Sequence, residues 1–316
     1  MIEINNLVKR YGNKTAVNDI SFTVNDDEIL GFLGPNGAGK TTTMNIITGY
    51  LSSTSGSVRV NGHDILEEPE LAKKSIGYLP ENPPLYFDMT VLEYLNYVCD
   101  LKQVPKDKRK VRLERILSMV KISDVKNRLI GNLSKGYRQR VGIAQAMVGD
   151  PPILILDEPT VGLDPNQIIE IRKLIKSLSK THSIIISSHI LSEIQEIADR
   201  VVIINHGKVA AVDTISDLSK RLSGQSKLLM TFKGPASSCA EAIRTLNGVQ
   251  NAVPRVTDNK ISQIEISILS THSNEVREAI FFLMAKKEWP ILEIRSLDPT
   301  LEEVFLNITA AKRRSN

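Results

Sequence analysis

The sequence predicts an α/β protein that carries a second, smaller α+β domain at its carboxyl end. Short, fully apolar runs at 153–156 and 184–186 are typical of parallel strands buried on both faces. Segments with helical spacing separate such runs, and strands that alternate with helices indicate an α/β fold. Beyond about residue 225 the predicted order becomes strand, helix, strand, strand, helix, strand, which is typical of a ferredoxin-like domain.

The size and charge of the chain exclude several classes of protein. Its 316 residues correspond to roughly two domains. A total of 40 basic against 36 acidic side chains gives a net charge of +4, which is too small to favour nucleic acid as a partner. The two cysteines, Cys99 and Cys239, have no paired spacing, so we expect a reducing compartment and neither a zinc site nor a disulfide framework.

No segment of the sequence predicts secretion or a membrane span. The first residues lack the basic and then apolar pattern of a signal peptide. No apolar run approaches the ~20 residues needed to span a bilayer. We therefore expect the protein to serve any membrane process from the cytosol and through a partner.

The amino-terminal half divides into strands, one glycine-rich segment and a helical insert. Residues 2–8 alternate between apolar and polar side chains, as in a half-buried strand. Two further strands follow, and the second runs directly into the glycine-rich segment at 34–42. A helix is predicted at 41–48, and a later strand ends in a hairpin turn at 61–62. From about 85 to 125, apolar residues recur at helical spacing, which predicts the insert.

The carboxyl-terminal part contains the predicted ferredoxin-like elements and one further helix. The predicted strands are 227–232, 249–256, 260–269 and 291–296, the helices are 239–246, 274–286 and 300–311, and a turn lies at 258–259. We place the first domain at 1–215, a polar linker at 216–225 and the second domain at 226–316.

The glycine-rich segment matches the pattern G-x-x-x-x-G-K-[ST], with a strand before it and a helix after it. Its glycines let successive backbone N–H groups converge on phosphate oxygens. Lys40 can reach the β- and γ-phosphates, Thr41 offers a hydroxyl to Mg²⁺, and the helix adds the positive end of its dipole. The predicted nucleotide-binding residues of this loop are Gly34, Pro35, Asn36, Gly37, Ala38, Gly39, Lys40, Thr41 and Thr42.

Two adjacent carboxylates follow the apolar strand at 153–156. At the end of the strand, Asp157 can hold Mg²⁺, directly or through water. Glu158 faces the other way, where a carboxylate can orient and polarise the water that attacks the γ-phosphate. The alternative is a strand that ends in two solvated acids, which is common in isolation.

The stretch at 133–140, Leu-Ser-Lys-Gly-Tyr-Arg-Gln-Arg, resembles the signature motif of ABC-type ATPases. The resemblance implies that Ser134 and Gly136 contact the γ-phosphate bound to the opposite subunit, at a helix N-terminus that favours anions. Lys135 stands where the family usually has glycine, and Tyr137 where it usually has glutamine. Both departures flank the phosphate contacts. Taken alone, the stretch is equally well a plain helix start with Ser134 as its cap.

Further positions are assigned by the same resemblance. Tyr11 matches the aromatic residue that stacks on adenine, and Glu81 occupies the glutamine position of the loop that senses the γ-phosphate and Mg²⁺. The segment at 162–165 resembles the loop that meets its counterpart across the dimer. His189 matches the histidine that contacts the γ-phosphate and helps to hold the transition state. His182 and His206 are interpreted as structural.

The resemblance covers residues 1 to about 215 and implies the fold of a P-loop NTPase ABC cassette, with an antiparallel β subdomain and a helical subdomain at about 82–145. It implies ATP and Mg²⁺ as cofactors, hydrolysis by Lys40, Glu158 and His189, and a metal held by Thr41, Glu81 and Asp157. The segment 77–81, the two signature departures and the tail 298–305 resemble the bacterial exporter branch, which includes drug, antibiotic, lipid and gliding-motility ATPases.

One copy lacks a complete site under this interpretation, so a second ABC ATPase subunit is required, and a homodimer is expected. A multi-span membrane permease is the second expected partner, which places the protein in the cytoplasm, peripheral on the inner face of the membrane. The segment 83–87 is either a docking surface for that permease or internal packing of the insert.

Two other function classes compete with a transporter subunit. Soluble ABC proteins that act on ribosomes usually carry two cassettes, whereas this chain has one. Chromosome and repair ATPases place long coiled coils between the phosphate loop and the signature, and the interval from Lys40 to Ser134 leaves no room for them. The carboxyl-terminal domain has no catalytic constellation, and it either regulates, dimerises or braces the cassette.

Overall fold

The computed structural model describes residues 1–215, 217, 226–257, 261–268 and 273–297. The chain divides into two compact units, Met1–Ile215 and Ser216–Asn316. The predicted linker at 216–225, apart from residue 217, lies outside the described residues, as do the predicted turn at 258–259 and the predicted helix at 300–311.

The first unit combines strands and helices, as the sequence predicts for an α/β fold. Its strands are β1 (Ile2–Tyr11), β2 (Lys14–Val24), β3 (Ile29–Leu33), β4 (Ser55–Val60), β5 (His63–Asp64), β6 (Ile76–Leu79), β7 (Ile153–Asp157), β8 (Ser183–Ser188), β9 (Arg200–Asn205) and β10 (Lys208–Thr214). Its helices are α1 (Lys40–Ile47), α2 (Pro69–Lys74), α3 (Val91–Leu101), α4 (Lys106–Met119), α5 (Lys135–Met147), α6 (Pro165–Leu178) and α7 (Leu191–Gln195). Short 3₁₀ turns occupy Ser123–Val125 and Ile130–Asn132.

A six-stranded sheet in the order β10-β9-β3-β8-β7-β6 forms the centre of this unit. Five neighbouring strands of this sheet are parallel, namely β9, β3, β8, β7 and β6. The sixth strand, β10, pairs antiparallel with β9 at one edge. Residues of β3, β7 and β8 are buried throughout, as the apolar runs predict for strands covered on both faces. Because these strands are parallel and in register, their carboxyl ends meet at one edge of the sheet.

A second, antiparallel sheet in the order β2-β1-β4-β5 packs on the same core. The buried side chains Ile2, Ile4 and Leu7 of β1 belong to one apolar cluster with Met44 and Ile47 of α1. That cluster also includes side chains from the six-stranded sheet. Helix α1 is therefore packed into the core, and the glycine-rich loop before it has a fixed position.

The predicted helical insert consists of α3 and α4. A capping box starts α3, in which Thr90 accepts from the backbone N–H of Glu93 and the Glu93 carboxylate accepts from the backbone N–H of Thr90. The guanidinium of Arg140 on α5 donates to the carbonyl of Val120 and to the carboxylate of Glu170 on α6. Helix α5 therefore joins the insert to the sheet core.

The second unit has the predicted ferredoxin-like topology. Its elements are β11 (Ser226–Phe232), α8 (Ala236–Arg244), β12 (Val249–Thr257), β13 (Ser262–Ile268), α9 (Ser273–Lys286) and β14 (Ile291–Ser296). All adjacent strands pair antiparallel, in the order β12-β13-β11-β14. Apolar side chains of α8 and α9 cover one face of this sheet and form a core of their own.

Candidate functional site

The glycine-rich loop follows the carboxyl end of β3. At two of its glycines, the loop lies very close to the backbone of neighbouring strands. A Cβ atom at Gly34 would lie 2.4 Å from the carbonyl oxygen of Ile204, and one at Gly39 would lie 2.6 Å from the carbonyl oxygen of Ala16. Gly39 also has a φ of 109°, in the left-handed region that favours glycine. Only glycine fits at both points, so the loop is held by the strands on either side of it.

Lys40 is buried at the start of α1, with 6% of its surface exposed. Its Nζ donates to the carbonyl oxygen of Gly34 at 2.8 Å and lies 3.5 Å from Glu158 Oε1. The ammonium group is therefore folded over the loop that precedes it, next to a carboxylate.

Glu158 follows β7 in a strained backbone conformation, with a φ of 48°. Its backbone N–H donates to Ser187 Oγ at 2.9 Å, which ties it to β8. The carboxylate is buried, and its Oε2 lies 2.9 Å from His189 Nδ1. The fold thus brings Lys40, Glu158 and His189 together from three different strand ends, as the sequence predicts.

Asp157 is fully buried at the end of β7. Its Oδ1 accepts from the hydroxyl of Ser187, whereas Oδ2 accepts no hydrogen bond from any residue that the structure describes. Burial raises the pKa of this carboxyl group above its usual value, and so does the charge of Glu158, while the hydroxyls of Ser187 and Thr41 act in the opposite direction. An acceptor oxygen that is buried without a partner fits a metal ligand.

The side chains around Asp157 fit the Mg²⁺ ion that accompanies a nucleoside triphosphate. Thr41 and Asp157 would supply a hydroxyl and a carboxylate oxygen, and Glu81 a second carboxylate. In the described residues no group of three or more histidine, cysteine, aspartate or glutamate side chains forms a metal cage. Mg²⁺ prefers one or two carboxylates together with substrate phosphates and water, which matches this sparse set. The ion would neutralise charge on the phosphate oxygens.

A cavity of about 890 Å³ opens in front of the loop. Lys40, Thr41, Glu158 and His189 line it, and so does Glu81. Of the other predicted residues, Asn36, Gly37, Gly39, Thr42 and Tyr11 lie on its wall, whereas Gly34, Pro35, Ala38 and Asp157 do not. A nucleotide fits a cavity of this size.

Two residues near this cavity, Glu193 and His206, were missed by the sequence. Glu193 is buried on α7, and its Oε2 accepts from Thr160 Oγ1 at 2.6 Å and from Ser188 Oγ at 3.2 Å. It therefore fixes the segments that follow Glu158 and precede His189. His206, interpreted as structural from the sequence, lies on the cavity wall, whereas His182 is buried against the carbonyl of Pro151.

Ser134 and Gly136 do not line this cavity. Ser134 is exposed and caps α5, because its Oγ accepts from the backbone N–H of Tyr137 at 3.4 Å. Gly136 is buried against the side chain of Gln167, which lies 2.8 Å from the position of an added Cβ. The Nζ of Lys135 lies 2.0 Å from where a Cβ of Gly162 would be, so this lysine rests on the loop at 162–165.

A phosphate loop, two carboxylates and a histidine, all at the carboxyl edge of a mainly parallel sheet, define a P-loop ATPase. An ABC transporter family model matches residues 17–161. The chain is 33% identical over 315 residues to the linearmycin resistance ATP-binding protein LnrL of Bacillus subtilis, across 99% of this chain and 100% of that protein. The chain belongs to the ABC transporter ATP-binding proteins, and it is an ATPase that uses ATP and Mg²⁺.

Two further comparisons agree with this family. The chain is 39% identical over 243 residues to the bacitracin transport ATP-binding protein BcrA of Bacillus licheniformis, across 74% of this chain and 78% of that protein. It resembles the dimeric structure of MJ0796, a bacterial ABC transporter cassette, with a TM-score of 0.62 and 25% identity over 68% of this chain and 99% of that one. None of the helices in the described part of the chain is long and apolar enough to cross a membrane.

Proposed function

We propose that this ATPase energises an exporter, by ATP-driven dimerisation that is coupled to a membrane permease. In this proposal Lys40, Glu158 and His189 carry out hydrolysis, Tyr11 stacks on adenine, and Ser134 and Gly136 complete the site of a second copy. The absence of Ser134 and Gly136 from the cavity of their own chain supports a site shared between two subunits.

One observation carries the coupling to a permease. Glu81 on the cavity wall is followed by a segment that ends in two exposed aromatic side chains, Tyr86 and Phe87, at 47% and 55% exposure. The guanidinium of Arg138, two residues after Gly136, lies 5.6 Å from the centre of the Phe87 ring. The cavity, through Glu81, and helix α5, through Arg138, are therefore both connected to the same exposed rings.

These rings belong to a larger exposed apolar surface. We call Tyr86, Phe87, Tyr97 and Leu129 the aromatic patch, since each is at least 36% exposed. The rings of Tyr86 and Tyr97 lie 5.5 Å apart, and the carbonyl of Phe87 accepts from the backbone N–H of Gly131. A contiguous apolar surface of this kind is typical of a contact with another protein.

The direction of transport is proposed from the relatives. LnrL is named for resistance to linearmycin and BcrA for bacitracin transport. Removal of an antibiotic from the cell accounts for both names. An exporter subunit with this role would lie in the cytoplasm, against the inner face of the membrane.

Co-purification of a membrane protein with this chain from the membranes of its own cells tests the proposal. We expect the wild type to retain the membrane protein. Phe87→Ala should reduce the amount of co-purified membrane protein at least fivefold, because the aromatic patch then loses its most exposed ring. Tyr50→Ala removes an aromatic side chain that is 83% exposed elsewhere in the first unit, and it should retain the permease. Association with ribosomes or DNA, in place of a membrane protein, would overturn the proposal.

The direction has a separate test in cells. A strain that lacks the protein should become more sensitive to linearmycin or to bacitracin, the antibiotics in the names of the two relatives. The wild-type gene should restore resistance, and Glu158→Gln should not. Unchanged sensitivity to both antibiotics would argue against their export.

A further inference from the structure

The positive charge of this chain is concentrated in one part of the helical insert. Residues 100–128 contain ten basic and four acidic side chains, so the rest of the chain carries a slight excess of acidic ones. Neither ATP binding nor the aromatic patch uses this charge. Most of it lies on α4 and on the segment that follows it.

Helices α3 and α4 enclose a cleft of about 530 Å³ in this basic region. Three leucines give it an apolar lining, namely Leu92, Leu113 and Leu117. Three lysines, Lys106, Lys110 and Lys126, also line it, and we call the whole feature the basic cleft. Its size is within the range of sites that bind small ligands or short peptide segments.

The charge of the basic cleft is not neutralised by the chain itself. Arg109 also lines the cleft, but it forms an ion pair with Asp100 at 2.6 Å and donates to the carbonyl of Val104. Glu114 is the acidic residue among the cleft's described lining residues. None of the three lysines forms an ion pair with a residue in the described part of the chain. Three ammonium groups beside an apolar surface therefore favour a ligand that is both acidic and apolar.

The basic cleft is continuous with the aromatic patch through one stretch of backbone. The backbone N–H of Leu92 donates to the carbonyl of Lys126 at 2.9 Å, which places a wall of the cleft on the segment that leads to Leu129. Thr90, which caps α3, pairs with Leu129 of the patch. A chain that lies on the patch can therefore continue into the cleft without leaving the surface of the insert.

We propose that the basic cleft binds an acidic segment of the membrane partner, with aspartate or glutamate side chains on the lysines and aliphatic side chains on the leucines. This inference rests on the proposed function, because the partner is the permease that occupies the aromatic patch. An acidic protein segment and an anionic lipid would both satisfy the charge. Continuity of the basic cleft with the aromatic patch favours the protein segment. The contact adds a second, salt-sensitive attachment beside the apolar one.

Zero-length coupling in the purified complex tests this contact directly. A carbodiimide joins a lysine amine to a carboxylate only when the two are in contact, and mass spectrometry identifies the joined peptides. We expect Lys106, Lys110 or Lys126 to be coupled to aspartate or glutamate of the permease. Lys108 and Lys121 are exposed on the same insert but do not line the cleft, and they should remain uncoupled to the permease.

Charge reversal gives the second readout. The double variant Lys110→Glu with Lys126→Glu should reduce the permease retained at 0.3 M salt at least fivefold, because it places like charges opposite each other at the contact. The matched double variant Lys108→Glu with Lys121→Glu should reduce it less than twofold. An unchanged thermal unfolding midpoint shows that each variant is folded. Equal losses in the two pairs would mean that only overall charge matters, and would overturn the inference.

Two further outcomes separate this inference from its premise. If the permease co-purifies but the cleft lysines are not coupled to it, the basic cleft is not its binding site and the proposed function stands. If no membrane protein co-purifies with the wild type, the proposed function itself fails. Binding of the wild type to vesicles of phosphatidylglycerol and phosphatidylcholine that is lost only in the cleft pair, with permease retention unchanged, would assign the cleft to lipid and overturn the inference.

Discussion

The carboxyl edge of the six-stranded sheet and the start of α5 differ in how completely the chain organises them. At the sheet edge, Lys40, Glu158 and His189 are already in contact, within one protomer. At the start of α5, Ser134 is exposed and caps only its own helix. The first region is pre-organised by folding, whereas the second is a helix N-terminus that lies outside the cavity of its own chain. If the proposed function is correct, each hydrolysis site combines the first region of one subunit with the second region of the other.

The largest effect is expected at the pre-organised region. Glu158→Gln removes the carboxylate that would polarise the attacking water, and hydrolysis should fall by about 10²–10⁴-fold. ATP binding should persist, and an ATP-bound dimer should accumulate on size-exclusion chromatography. Glu196→Gln changes an exposed carboxylate that pairs with Arg172, and it should remain active. Normal hydrolysis by Glu158→Gln would remove Glu158 from the proposed catalytic residues.

Mixing two inactive variants tests whether the regions belong to different subunits. Glu158→Gln and Ser134→Arg should each be inactive alone. A mixed dimer contains one site with neither change, so an equimolar mixture should recover about a quarter of wild-type ATPase activity if subunits exchange freely. Each variant mixed with wild type gives the reference rate. If the mixture stays inactive while subunits are shown to exchange, the site is not shared in the proposed way.

A smaller effect is expected where the two regions meet in one chain. Gly162→Ala would place a methyl group 2.0 Å from Lys135 Nζ, at a φ of 70°. The end of the flexible Lys135 side chain can move aside at little cost, whereas the left-handed backbone at Gly162 strains any residue other than glycine, so hydrolysis should fall by about tenfold, which corresponds to ~1.4 kcal/mol. Adding Lys135→Ala should therefore restore little of this loss. Full restoration would mean that the clash with Lys135, and not backbone strain, causes the defect.

The smallest expected effect concerns stability at Asp157. Its buried carboxylate is needed for the proposed function but lowers the stability of the fold. Because burial raises the pKa of Asp157, the folded protein favours its protonated form, and the charged form reduces stability at neutral pH. Asp157→Asn should therefore raise the free energy of unfolding by about 1 kcal/mol without nucleotide, while Mg²⁺-dependent hydrolysis is lost. The gain should shrink as the pH falls through the raised pKa of Asp157 in the folded protein, and it should be gone at the usual pKa of aspartate, where the folded and unfolded states are both protonated. Thermal unfolding across pH measures it, and a lower midpoint at neutral pH would contradict it.

The sequence was a good guide where local chemistry decides the structure. Apolar runs predicted the buried strands β7 and β8, and the glycine pattern predicted the loop before Lys40, because both depend on side chains that are close in sequence. The edge strand β10 was missed, since its small, half-buried residues give no clear periodicity. Its position also depends on pairing with β9, which a local pattern does not encode.

Contacts between distant segments were beyond the sequence for the same reason. Glu193 stabilises the site only because α7 brings it to Thr160 and Ser188, and a single glutamate four residues after His189 has no distinctive signal. The contact of Lys135 with Gly162 was likewise invisible, although the departure from the usual signature glycine pointed to that position. Long-range register, rather than motif spacing, decides such neighbours.

The contacts that Lys40 makes within the chain have a consequence for product release. Its ammonium group donates to the carbonyl of Gly34 and lies beside the carboxylate of Glu158. A lone phosphate must compete with these internal contacts, whereas a triphosphate replaces them with many bonds along the whole loop. Free inorganic phosphate should consequently bind weakly, and after each turnover the lysine has a place to return to as the anion departs.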